Sequence, residues 1–152
     1  MNRRNLLSAL IGTSVLGTLP AWAAPGLPPV EVFKSAYCGC CGAWVEHLKA
    51  AGFAVKVTVV DDTTAARKRL GMPDAFGSCH TATVAGYVVE GHVPAAEVKR
   101  LLALKPTALG LAVPGMPPGS PGMEVGSRQD PYHVLLIDKN GREKVFASYP
   151  KS

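Results

Sequence analysis

Val30-Glu31-Val32-Phe33-Lys34 alternates apolar and polar positions, the period-two pattern of a half-buried strand. The rhythm then changes. Trp44, Val45 and Leu48 fall at i, i+1 and i+4, which predicts an amphipathic helix from Cys41 to Ala51 stopped by Gly52. Ala54 to Val60 is rich in β-branched residues and predicts a second strand. Asp61 or Asp62 then caps a helix that runs to Leu70 and ends at Gly71-Met72-Pro73. Two short strands, Thr81 to Val84 and Tyr87 to Glu90, flank Ala85-Gly86, and Pro94 opens a helix through Leu104 that buries Val98, Leu101 and Leu102. The predicted order is βαβα followed by ββα, an α/β chain.

Two regions break this pattern. Gly110 to Met123 is a Gly/Pro-rich stretch too long for a simple connection and carries Met116 and Met123. Beyond it, Tyr132 to Ile137 and Glu143 to Tyr149 read as a C-terminal β-hairpin, with Asn140-Gly141 as a type I′ turn signal. At the other end, residues 1–23 have the form of a cleaved export signal, Sec or Tat. Arg3 and Arg4 lead, Leu6 to Leu19 is mostly apolar, and Ala21-Trp22-Ala23 is a small-x-small cleavage site before Ala24. The apolar stretch falls short of the ~20 residues a membrane span needs, so the expected product is not membrane-embedded. Residues 24–152 are then a single domain.

Composition narrows the functional classes. With 47% hydrophobic and 18% charged residues the chain can build an ordinary packed core. The net charge is +5. Removing Arg3 and Arg4 with the leader leaves 14 basic against 11 acidic residues, scattered and without aromatic interleaving, so no nucleic-acid surface is expected. No Ser/His/Asp arrangement, phosphate-cradling glycine motif or paired-carboxylate signature is visible. Any enzymatic chemistry must come from cysteine.

All four cysteines point to one place. Cys38, Cys40 and Cys41 lie within Tyr37-Cys38-Gly39-Cys40-Cys41-Gly42, at the predicted strand-to-helix turn, and Cys79 lies in Gly77-Ser78-Cys79-His80. Adjacent half-cystines such as Cys40 and Cys41 cannot easily both meet disulfide geometry with different partners, so two structural disulfides are a poor account of them. At a helix N-terminus the positive end of the dipole should lower thiol pKa values and favour the thiolate that binds metal. Crowded soft thiolates suit Cu(I), Zn(II) or an iron–sulfur cluster. Zinc sites usually draw on two separated pairs, which CxCC plus one lone Cys does not supply, whereas Cu(I) tolerates bridging thiolates. His80 is an accessory ligand candidate, as are Met116 and Met123, which could pass copper to or from the thiols. His47 and His92 read as solvated surface residues, His133 carries no pattern, and Trp44 reads as a core aromatic.

The predicted element order, with a CxxC at the first helix N-terminus, resembles the thioredoxin-like fold. In that fold the loop before the third strand, here the loop with Cys79, faces the CxxC turn. That loop reads Ser78-Cys79-His80-Thr81 without the cis-proline of thioredoxins, which speaks against an ordinary disulfide reductase. Tyr37 to Gly42, Cys79-His80-Thr81, Gly91-His92-Val93-Pro94, and Val113-Pro114-Gly115-Met116 through Gly122-Met123-Glu124 together resemble the small exported CGCC-motif metal-binding proteins. That family is exemplified by the bacterial copper-resistance protein CopG, unrelated to the DNA-binding repressor of that name. The resemblance spans nearly the whole chain after the leader. It implies a periplasmic, thioredoxin-like domain holding a multinuclear copper cluster on Cys38, Cys40, Cys41 and Cys79, with redox handling of copper and a copper-efflux or electron-transfer partner. Two other readings stay open: a thiol-disulfide oxidoreductase using Cys38 and Cys41, and a Cu(I) metallochaperone serving an efflux partner.

Overall fold

The computed structural model describes residues 26–151; the leader at 1–23 lies outside the described residues. Seven strands form one mixed sheet: β1 (Val30–Lys34), β2 (Val55–Val59), β3 (His80–Val84), β4 (Tyr87–Glu90), β5 (Gly110–Ala112), β6 (Tyr132–Ile137) and β7 (Glu143–Tyr149), in the order β2-β1-β3-β4-β5-β6-β7. Helices α1 (Gly39–Ala50), α2 (Thr63–Arg69) and α3 (Ala95–Leu104), with a short 3-10 turn at Asp74–Phe76, complete the described residues, and β1α1β2α2–β3β4α3 is the order that the sequence predicts.

β1 and β2 pair in parallel, so α1 must serve as the crossover between them. Its buried stripe of Trp44, Val45 and Leu48 packs with Val30 and Val32, the inward positions of β1. Asp62 caps α2 by accepting the Thr64 N–H at 2.8 Å. β3 runs antiparallel to both β1 and β4 and returns through Ala85 and Gly86, both with positive φ, which is the type I′ geometry of a two-residue hairpin.

Three expectations need correcting. The stretch from Gly110 begins as a strand, not a loop: β5 runs parallel to β4 and joins the C-terminal hairpin to the main sheet. Only glycine permits this at position 110, where a Cβ would collide with the Val88 carbonyl. A three-residue strand is too short to show a period against its Pro/Gly surroundings. Second, the 140–141 turn is not type I′, since Gly141 has positive φ and Asn140 does not. The Asp138 carboxylate accepts the Asn140 and Arg142 N–H groups at 2.8 and 2.9 Å, and that side chain, rather than the Asn-Gly pair, sets the longer turn. Third, α1 starts at Gly39, with Cys38 in the N-cap position. Cys40 and Cys41 therefore belong to the first helical turn.

Candidate metal centre

β1 delivers the chain to Cys38, and α1 lifts Cys40 and Cys41 from its first turn. The loop entering β3 carries Cys79 to the same spot. Cys41 Sγ lies 3.4 Å from Cys79 Sγ, Cys40 Sγ lies 3.8 Å from Cys79 Sγ, and Cys38 Sγ lies 3.5 Å from Cys40 Sγ. All four sulfurs fall within 4.8 Å of one another. Thirty-eight residues of chain separate Cys41 from Cys79, and only the β1–β3 pairing closes that gap.

Cys38 and Cys41 are joined as a disulfide, while Cys40 and Cys79 are free. The pair spans one turn of the helix start, which is why a single bond forms where two could not. The Cys79 thiol is pushed up to about 12, first by burial and then by the neighbouring Cys40. Without metal it is a thiol at neutral pH, so a binding ion must displace its proton.

Two buried histidines stand against Cys79. His92 is fully buried, and its Nε2 lies 3.2 Å from Cys79 Sγ. Its Nδ1 lies 2.8 Å from the Pro121 carbonyl, which can only accept, so Nδ1 carries the hydrogen and Nε2 presents a lone pair to the sulfur. The expectation of a solvated turn residue at 92 is therefore wrong. The cause is the segment 117–123, which folds over the cysteine turn. Gly122 sits so close that a Cβ there would meet Cys40 O and Trp44 N at 2.8 Å each and His92 Nδ1 at 3.3 Å. His80 is also fully buried, with Nδ1 3.4 Å from Cys79 Sγ, its ring 4.4 Å from that of Trp44, and Nε2 without a hydrogen-bond partner. Trp44 is the core aromatic that the helix pattern predicts, and its indole N–H donates to Val93 O at 2.8 Å. His47, also read as solvated, is half-buried and accepts the Ala95 N–H at 3.0 Å at the start of α3.

Met116 is half-exposed, plugs no apolar gap, and lines a cavity of about 370 Å³ with Cys79, Ser78, Arg67 and Thr64. Met123 has a different place: its backbone closes the turn from Gly119 through bonds to Gly119 N and Ser120 O.

The loop bearing Cys79 is anchored by a buried ionic cluster that the sequence reading missed. The Arg67 guanidinium lies 3.2 Å from Glu90 Oε1 and 3.3 Å from Asp74 Oδ1, and Glu90 Oε1 accepts the Ser78 N–H at 2.7 Å. Burial raises the Glu90 carboxyl even against Arg67. The available sequence signal was an acidic residue closing the apolar run Tyr87-Val88-Val89.

Burial, followed by the charges of His92 and Lys34, lowers His80 to about 3, and burial lowers His47 and His92 as well. All three imidazoles take a proton less readily in the fold than in the unfolded chain, where a histidine protonates below about 6.5, so stability is lost as pH falls below that value, for His80 down to about 3. His80 alone should remove about 2 kcal/mol between pH 7 and pH 5. Urea unfolding of metal-free protein at the two pH values checks this, and equal stability at both would refute it.

A family model described as "Protein of unknown function, DUF411" matches residues 76–123, the span from the Cys79 loop through His92 to Met123. No curated protein sequence matches the chain. Two solved structures are similar over 82% of this chain and 99% of their own length. They are copper resistance protein CopG in its form 2, at 48% identity and TM-score 0.78, and in its form 1, at 47% and 0.77. With nearly half the residues identical across the entire length of those structures, the chain belongs to the family of the copper resistance protein CopG.

Proposed function

We propose that this chain is an exported, periplasmic copper-binding protein of copper resistance that holds a cysteine-bridged, multinuclear copper cluster on Cys38, Cys40, Cys41 and Cys79. The observation that carries the reading is the convergence of all four thiol-bearing residues within 4.8 Å. Two sulfurs that share an ion at metal–sulfur distances of about 2.3 Å lie about 3.8 Å apart, comparable with the 3.4 to 3.8 Å separations of the Cys38–Cys40, Cys40–Cys79 and Cys41–Cys79 pairs. Loading all four positions requires the Cys38–Cys41 bond to be reduced by two electrons and two protons. The site thus couples its capacity for Cu(I) to thiol oxidation state, and the redox handling we propose is of copper itself, interconverting its oxidation states with the electron passed to or from an electron-transfer partner. No helix among the described residues is long and apolar enough to cross a membrane. Cleavage before Ala24 and release of residues 24–152 rest on the small-x-small site Ala21-Trp22-Ala23.

A second reading, thiol-disulfide exchange at Cys38 and Cys41, is favoured by the disulfide itself. Protein isolated from the periplasm under anaerobic, reducing conditions separates the two. The copper reading expects a mass beginning at Ala24 and several Cu(I) per chain; protein free of copper that reduces insulin disulfides would displace it.

Met116, on the rim of the cavity over Cys79, is the proposed hand-over point to an efflux or electron-transfer partner. Met116→Leu with Met123→Leu keeps apolar bulk and removes the thioethers. Copper transfer to a Cu(I) chelator should slow by a few fold with the melting temperature unchanged. Unaltered transfer would leave the thioethers no part in exchange.

A further inference from the structure

We propose that Cys79, His80 and His92 form a second, mononuclear metal position, a two-nitrogen, one-sulfur site that shares Cys79 with the thiol cluster and accepts a divalent ion while the Cys38–Cys41 disulfide is closed. The inference deepens the copper reading, and the identity of the natural ion rests on that reading. The geometry stands by itself. Donors bound to one ion at about 2.0 to 2.3 Å lie roughly 3.2 to 3.8 Å from one another. Cys79 Sγ is 3.2 Å from His92 Nε2 and 3.4 Å from His80 Nδ1, and one donor atom from each of the three residues falls within 4.8 Å of the others.

Three features mark a built site. The Pro121 carbonyl fixes the His92 tautomer so that the bare nitrogen faces the sulfur, the outer contact that commonly orients a ligating imidazole. The two rings stand edge-on at 81° with centroids 4.9 Å apart, each with one nitrogen beside Cys79. Both rings are fully buried, so the nitrogen that each sets beside Cys79 is withheld from solvent.

The disulfide gives the site its occasion. Closing Cys38 to Cys41 removes two of the four thiolates and leaves Cys41 Sγ beside Cys79 Sγ at 3.4 Å, yet it leaves Cys79 itself a free thiol with both imidazoles against it. Two imidazoles and one thiolate suit Cu(II) better than a set of bridging thiolates does. Binding forms two metal–nitrogen bonds and one metal–sulfur bond, and releases only the Cys79 thiol proton to solvent.

The test uses the unmutated chain in its disulfide form, confirmed by mass, titrated anaerobically with Co(II), which does not oxidise the free thiols. One equivalent should bind with thiolate-to-cobalt charge-transfer absorption, and X-ray absorption should show two imidazoles and one sulfur. His92→Ala should weaken Co(II) binding by about tenfold or more, and His80→Gln should remove one imidazole from the shell. A disulfide-form chain that binds no Co(II), or a shell without imidazole in the unmutated protein, overturns the site. Cu(I) loading of the reduced chain is measured in parallel. If it succeeds while Co(II) fails, this site falls and the copper reading stands; if it fails while Co(II) binds as described, the reverse holds.

Discussion

Cys79→Ser is expected to lower the number of Cu(I) ions bound per chain by at least one and to abolish the cluster's luminescence or charge-transfer absorption, with the fold retained. Cys79 Sγ is the sulfur that approaches both Cys40 and Cys41, so its loss removes a bridge rather than a peripheral ligand. The residue is half-buried and makes no backbone-ordering contact through its side chain, so the change should cost under about 1 kcal/mol of stability. Native mass spectrometry of copper-loaded wild type and variant reads the stoichiometry directly. Identical copper counts would take Cys79 out of the site. Thiol-disulfide exchange at Cys38 and Cys41 gives the opposite expectation, because Cys79→Ser would leave insulin reduction nearly intact and copper would be incidental.

Arg67→Ala should destabilise the protein by about 3 to 5 kcal/mol, since it leaves the buried Glu90 carboxylate without its cation. It should also loosen Cys79, because Glu90 and Arg67 hold Ser78 from its N–H and carbonyl sides. Glu90→Gln keeps an oxygen for the Ser78 N–H and is expected to cost less. Replacing both members, as Arg67→Met with Glu90→Leu, should regain part of the stability, because no buried charge then remains unpaired. Urea denaturation of the three variants ranks them. A loss under about 1 kcal/mol for Arg67→Ala would mean that water reaches Glu90 and that the cluster contributes little.

The local periodicities determined much of this molecule. Apolar spacing places β1, α1 and α3, while β-branched content, the Asp61/Asp62 cap and the Gly-Met-Pro and Ala-Gly breaks place β2, α2, β3 and β4, because caps and turns are set by local backbone chemistry. The cysteines were legible as one site because three share a turn and a thiol cluster has few other uses. Residues whose roles depend on what covers them were not legible. His92 reads as a turn histidine until segment 117–123 folds across it, and Arg67 reads as a helix-surface cation until Glu90 arrives from β4. β5 escaped because three residues carry no period, and its pairing with β4 depends on the space left by Gly110. Sequence thus determined which faces must be buried and which residues carry thiol chemistry. Only the tertiary structure decided which distant side chains meet in those buried places, because burial there comes from chain segments far apart in sequence.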